Sequence, residues 1–353
     1  MKFSFFSLIM SICLINILIL FLSLLKNKNK FIKHFNVTSL IVFIILIIFR
    51  TLFNFEFKNS ININSKIILP KIIDWLRMPL YVDSNLTLLS FFLFIWIIGS
   101  CIISLKTIFT YYKFKIYLKN ISKFSYIQDL ELLEKIKQEL NIDKNINLYR
   151  SNEITIPIVV GITEFSIYLP NIILSENKLR NILIHELNHI KGKDNFKKII
   201  ILLFKILFWW NPFIYLLNKD IDHILEIQCD IRTVSYMTDK ERIKYLESIL
   251  AIIKNTKYIN SNALINNLQV SALYNDDDNK LKQRFNLVLD HNNKQQNKKY
   301  NLIFCFVFIA IFMSSYIFTF KPIYYPKEDY IFIEEDDFIY ERDSYILKIK
   351  NKE

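Results

Sequence analysis

Residues 181–189 read N-I-L-I-H-E-L-N-H, and the rest of the chain makes sense around them. His185 and His189 are four apart, so on a helix they stack on one face with both imidazoles aimed at one point. Glu186 sits one residue round, within reach of a water held between them. The flanking Ile182, Leu183, Ile184, Leu187 and Ile190 predict a largely buried helix. Two imidazoles and a carboxylate in such a helix are costly unless something satisfies them, and a metal ion does so.

This H-E-x-x-H spacing is the pattern of zinc peptidases: two histidine ligands, with the glutamate as general base. An open zinc site takes three protein ligands and leaves the fourth position to water. Glu226, in E-I-Q-C-D, is the best candidate for the third ligand, and Asp230 follows one helical turn later. Asp230 and Asp194 are candidates for orienting a ligating imidazole through its free N–H. Either could instead pair with Lys191, Lys193 or Arg232. Cys229 is a conceivable but less economical ligand.

Composition sets the surroundings. Of 353 residues 52% are hydrophobic, 31 are phenylalanine and only 3 are glycine. The apolar residues gather in blocks long enough to cross a bilayer. The formal charge of +12 comes from lysines crowded beside those blocks, so positive-inside orientation accounts for it and direct nucleic-acid binding is not expected. Of four cysteines, Cys13, Cys101 and Cys305 lie in apolar blocks and imply no pairing, in keeping with a catalytic part in a reducing compartment.

Blocks at 3–25, 37–54 and 88–110 predict three crossings. The lysines after the first and third mark the cytoplasmic side, and 55–87 is an external loop. An amphipathic helix follows between about 125 and 150, then strand-like runs at 155–161 and 165–169. Ile158, Val159, Val160 and Gly161 could hold an extended substrate by backbone hydrogen bonds, or could belong to an ordinary core hairpin. Ser175 is the expected N-cap of the histidine helix. With Lys178 it also spells S-x-x-K, but the companion motifs of penicillin-binding enzymes are missing.

Block 199–217 is long enough to span, yet a crossing there would separate Glu226 from the histidines. Pro212 interrupts the helix and Trp209-Trp210 favour an interface, so a bent or re-entrant helical pair is expected, with a full span as the alternative. Residues 281–289 read as a basic amphipathic helix along the inner membrane face. A last crossing at 301–320 leaves both termini outside, and the alternating tail at 330–349 suits a small hairpin. The predicted organisation is thus 1–124 as three transmembrane helices with their external loop and 125–299 as a cytoplasmic zinc metallopeptidase domain that includes block 199–217. A transmembrane helix at 300–320 and an extracytoplasmic tail at 321–353 complete it.

P-I-V-V-G…I-Y-L-P (157–170), L-S-E-N-K-L-R-N-I-L-I-H-E-L-N-H-I-K-G-K-D (174–194), W-W-N-P (209–212), E-I-Q-C-D (226–230) and L-K-Q-R-F (281–285) occur in that order. Together they resemble the integral-membrane zinc peptidases of the BlaR/MecR antirepressor type. The resemblance implies four transmembrane helices plus the bent pair around a cytoplasmic α+β gluzincin-like domain. It makes His185, His189 and Glu226 zinc ligands and Glu186 the catalytic glutamate. It also implies regulated cleavage of a cytoplasmic protein, in the best-known members a DNA-binding repressor. Members that sense β-lactams carry a large external penicillin-binding domain, whereas 33 residues follow the last block here, so β-lactam binding is not expected. Two readings compete: a housekeeping membrane protease of the HtpX or prenyl-endopeptidase type, and a non-catalytic membrane sensor or scaffold with structural zinc. Nothing in the sequence speaks to oligomeric state.

Overall fold

The computed structural model describes residues 85–258 and 278–291 without a break, together with 2–3, 5–26, 61–81 and short pieces elsewhere. The expected crossing at 37–54 lies for the most part outside the described residues, as does about half of that at 301–320, whose end from Phe318 onward is a strand. In chain order the elements are β1 (Lys2–Phe3), α1 (Phe5–Lys26), β2 (Phe55–Glu56), β3 (Ile61–Ser65), α2 (Ile68–Arg77), α3 (Leu88–Asn120) and α4 (Ile127–Glu139). Next come β4 (Ile146–Ser151), β5 (Ile158–Val160), β6 (Phe165–Pro170), α5 (Glu176–Lys191), α6 (Asp194–Leu207), α7 (Pro212–Val234), α8 (Asp239–Tyr258) and α9 (Asp278–Leu289). Strands β7 (Phe318–Pro322), β8 (Tyr330–Phe332), β9 (Ile339–Asp343) and β10 (Ile346–Leu347) close the list, so the described chain is mostly helical.

Among the described residues one helix is long and apolar enough to cross a membrane. It is α3, with a mean hydropathy of 2.5 over its most apolar stretch and none of that stretch buried. Its 33 residues run past the expected end at 110 to Asn120, about 50 Å of helix against a hydrocarbon core of about 30 Å. A shorter apolar helix covers Ser11–Lys26.

The chain divides into two compact units. In the smaller (Met1–Ser11, Asn54–Ile95 and Met313–Glu353), β3 pairs in parallel with β7, and β8, β9 and β10 form an antiparallel sheet, wider than the hairpin expected there. The larger (Ile12–Phe53 and Trp96–Phe312) contains the histidine helix.

In the larger unit three strands lie in the order β4-β6-β5, parallel between β4 and β6 and antiparallel between β6 and β5. The run at 155–161 narrows to β5 and that at 165–169 extends by one residue to β6, while β4 is a strand the sequence reading did not anticipate. Leu148, Ile167 and Leu169 of the sheet pack with Leu132, Leu133 and Ile136 of α4 and with Leu179, Ile182, Leu183 and Leu187 of α5. These α5 positions recur at three and four residues and form one apolar stripe. Ser175 holds the N-cap position in extended backbone, but its side chain makes no capping bond. Gly192 ends α5, and Lys193, with φ of 55°, turns the chain into α6.

Block 199–217 is a bent helical pair in this fold. Helix α6 ends at Leu207, and Asn211 caps α7, its side-chain oxygen accepting from the Phe213 N–H at 3.1 Å with Pro212 in the first turn. Proline there removes only a donor that had no helical partner. The pair packs around Ile15, Leu18, Ile19 and Leu22 of α1, which explains its apolar character. Helix α9 is amphipathic, as its sequence predicts. Gln283, Arg284, Leu287 and Val288 are buried, so one face of it packs into the core and two of its polar residues lie inside.

Candidate metal centre

Helix α5 presents His185 and His189 side by side, with their Nε2 atoms 3.2 Å apart. Helix α7 returns from the tryptophan bend and brings Glu226 to them. Its Oε2 lies 3.6 Å from His185 Nε2 and its Oε1 3.6 Å from His189 Nε2. A tetrahedral ion with bonds of about 2.05 Å separates its donor atoms by about 3.3 Å, so the three side chains are spaced for one small cation.

The outer nitrogens decide what the inner ones offer. His189 Nδ1 donates to Asp194 Oδ2 at 2.9 Å. His185 Nδ1 is 2.8 Å from the Tyr245 hydroxyl, which itself donates to Asp230 Oδ1 at 2.6 Å, so the proton sits on His185 Nδ1. Both Nε2 atoms then present lone pairs to each other and to a carboxylate. Glu226 Oε2 is buried and makes no hydrogen bond among the described residues, with the Arg284 guanidinium 3.3 Å away. Unshared electron pairs converging in a dry site call for a cation, and the residues fit one.

The surrounding acidic groups favour positive charge at this site, whether a proton or a metal ion carries it. Burial resists a charge on the imidazoles, yet Cys229, Glu226 and Asp194 outweigh it and hold His189 up at about 10. His185 is carried well above the ordinary range against the same burial, by Cys229, Glu226 and Asp230. Burial would raise Glu226, but Arg284 and the two histidines keep it well below the usual carboxylate range. Burial pushes Glu186 up, with the imidazoles pulling against it, toward the range suited to a general base.

Cys229 enters the same space. The donor atoms of His185, His189 and Cys229 all lie within 4.8 Å of one another, and the thiol donates to the His185 carbonyl at 3.1 Å. Beside His189 opens a cavity of about 320 Å³, lined in part by Val159, Ile162, Phe165 and Phe196, with Lys144 and Lys193 among its walls. Edge strand β5 borders it. The carbonyls of Val159 in the strand and of Gly161 just past it both accept from Asn195 Nδ2, at 3.2 and 2.9 Å. Ile158 is buried and Val160 half-buried, and Gly161 leaves the strand with φ of +111°.

A family model described as BlaR1 peptidase M56 matches residues 3–288. The chain belongs to the BlaR1 peptidase M56 family. It is 32% identical over 163 residues to the regulatory protein BlaR1 of Bacillus licheniformis, covering 46% of this chain and 27% of that one. It is 27% identical over 232 residues to BlaR1 of Staphylococcus aureus, covering 63% of this chain and 37% of the relative. The methicillin resistance protein mecR1 of Staphylococcus aureus strain Mu50 matches at 27% over 185 residues, 51% of this chain and 31% of that one. The chain thus matches about a third of the length of these relatives. M56 membership points to metallopeptidase activity, with which the histidine site is compatible.

Three contributors to this M56 site escaped the sequence reading. Tyr245 occupies an ordinary core position of α8, and nothing local marks its hydroxyl. Asn195 carries no signal beyond standing next to Asp194. Arg284 could have been found, because it falls on the stripe Leu281, Arg284, Phe285, Val288, where an arginine needs a buried partner.

Proposed function

We propose that this M56 protein is a membrane-embedded zinc endopeptidase that cleaves a cytoplasmic protein in a signal relay, with a transcriptional repressor as the candidate substrate. The observation that carries the reading is the convergence of His185, His189 and Glu226 on one cation-sized space with Glu186 beside it. In this reading those three residues hold zinc. Zinc bound there supplies a Lewis acid that polarises a peptide carbonyl and lowers the pKa of the water it holds.

The protein's own groups do the rest. Glu186 accepts the proton of the attacking water and passes it to the leaving amine. Asp194, and Asp230 through Tyr245, fix the two imidazoles in the tautomer that frees Nε2. Ile158, Val159, Val160 and Gly161 offer an edge for an extended substrate, and the cavity beside His189 takes one of its side chains. Glu226 is preferred to Cys229 as the third ligand because both its oxygens face the imidazoles, whereas the thiol is engaged with the His185 carbonyl.

Lysine placement supports a multi-pass topology in which 125–299 faces the cytoplasm and both termini lie outside. The test is the purified full chain with zinc and a candidate repressor. Glu186→Ala is expected to keep zinc and lose cleavage by about 10²–10⁴-fold. A variant that binds zinc and still cuts at the wild-type rate removes Glu186 from the mechanism.

A further inference from the structure

Helix α9 carries two consecutive buried polar residues, Gln283 and Arg284. The Arg284 guanidinium grips Asp230 with both arms, Nε to Oδ2 at 2.7 Å and Nη2 to Oδ1 at 3.0 Å. The same Nη2 stands 3.3 Å from Glu226 Oε2. Asp230 Oδ1 also receives the Tyr245 hydroxyl that orients His185. One planar cation therefore touches the third ligand of the reading above directly, and the first ligand through two intermediates. Gln283 faces elsewhere, donating to the Lys26 carbonyl at 2.7 Å and accepting from His223 Nε2 at 2.8 Å.

A guanidinium that is 1% exposed keeps its charge, and the carboxylates around it offset the cost of burying that charge. Its fork is rigid, so it sets the plane of Asp230, which it grips with two bonds, and it fixes a positive charge against one oxygen of Glu226, which a flexible ammonium does not. A Glu226 carboxylate free to rotate would lose the arrangement in which each oxygen faces one imidazole. We propose that Arg284 is a positioning residue of the metal centre. It holds Glu226 and the Asp230–Tyr245–His185 chain in the geometry that receives the ion, so a helix distant in sequence completes the seat. The inference rests on the zinc reading.

The experiment measures zinc affinity of the full-length protein in detergent by chelator competition, beside the melting temperature of the metal-free form. Arg284→Met is expected to bind zinc about 10–100-fold more weakly, the usual effect of losing an outer-shell partner. Arg284→Lys keeps the charge but not the fork and is expected to bind about tenfold more weakly with the melting temperature preserved. Gln283→Met, on the same helix but away from the ligands, is expected to lower the melting temperature and leave zinc affinity unchanged. Zinc affinity within twofold of wild type in Arg284→Lys overturns the proposal, whether or not Arg284→Met folds. A wild-type chain that binds no zinc overturns the metal centre, and this proposal with it.

Discussion

Trp209 donates its indole N–H to the Trp96 carbonyl at 3.3 Å, and Trp96 donates its own to the Leu207 carbonyl at 2.7 Å. Helix α3 thus holds the bend between α6 and α7 from both sides. That bend allows Glu226 to return to the histidines instead of continuing away from them. Gly99, one turn on from Trp96, lies against the Trp209 ring, which an added Cβ would strike. Gly99→Ala must displace that ring. The expected outcome is a loss of about 1–3 kcal/mol, the usual effect of overpacking, read as a lower melting temperature in detergent. An unchanged melting temperature would show that the ring moves freely and that the bend does not depend on it.

Glu226 and Cys229 compete for the third ligand position, and their substitutions separate them. Glu226→Gln removes the carboxylate charge and is expected to weaken zinc binding by at least about 100-fold, more than an outer-shell change would. Cys229→Ser keeps a donor toward the His185 carbonyl and is expected to leave zinc affinity within a few-fold. Cobalt substitution gives an independent view, since a thiolate ligand produces a sulfur-to-metal charge-transfer band. That band in the wild type, lost in Cys229→Ser, would move the third ligand to Cys229.

His185, Glu186 and His189 were legible because one helical period holds all three, and the tryptophan-proline bend because Pro212 and the paired indoles are local signals. The buried partners were not. Arg150 lies in β4, a strand whose sequence I-N-L-Y-R-S looks too polar for a core, and it is buried because Asp129 of α4 accepts from it at 2.5 and 3.0 Å. Arg284 is buried in the same way by Asp230, and although its place on an apolar stripe betrays the burial, nothing local names the partner. Each pairing joins distant parts of the chain, and no pattern along one segment carries the charge of its partner. Polarity in a sequence therefore reads as exposure wherever a tertiary ion pair has made it interior.

Asn195 spends its amide on the Val159 carbonyl of β5 and the Gly161 carbonyl just past it, which an extended peptide at this edge would use. Each such bond is worth about 0.5–1.5 kcal/mol net, so a substrate competing for them loses affinity. Asn195→Ala is expected to lower KM by up to about tenfold with kcat little changed, measured on a cleaved peptide. A higher KM would show instead that Asn195 supports the strand in the shape the substrate needs.

His223 gives the fold a pH dependence separable from the metal. It is 3% exposed, its Nε2–H donates to Gln283, and its Nδ1 is buried without a hydrogen-bond partner among the described residues. Burial drives its pKa down to about 4, reinforced by Lys280, Arg284 and Lys26 and opposed by the bond to Gln283. The unfolded chain takes up this proton near pH 6.5, and the folded chain only near 4. Between those values the unfolded state binds more protons, so the stabilisation is complete above about pH 6.5 and is lost as pH falls toward 4. The full shift corresponds to about 3 kcal/mol. His223→Gln keeps a donor for Gln283 and removes the titration. The difference in unfolding free energy between wild type and variant should therefore slope through this window and be flat above it. A difference that is flat throughout would mean that His223 protonates in the folded protein as readily as in the unfolded chain, and that the contacts among α1, α7 and α9 open to admit the charge.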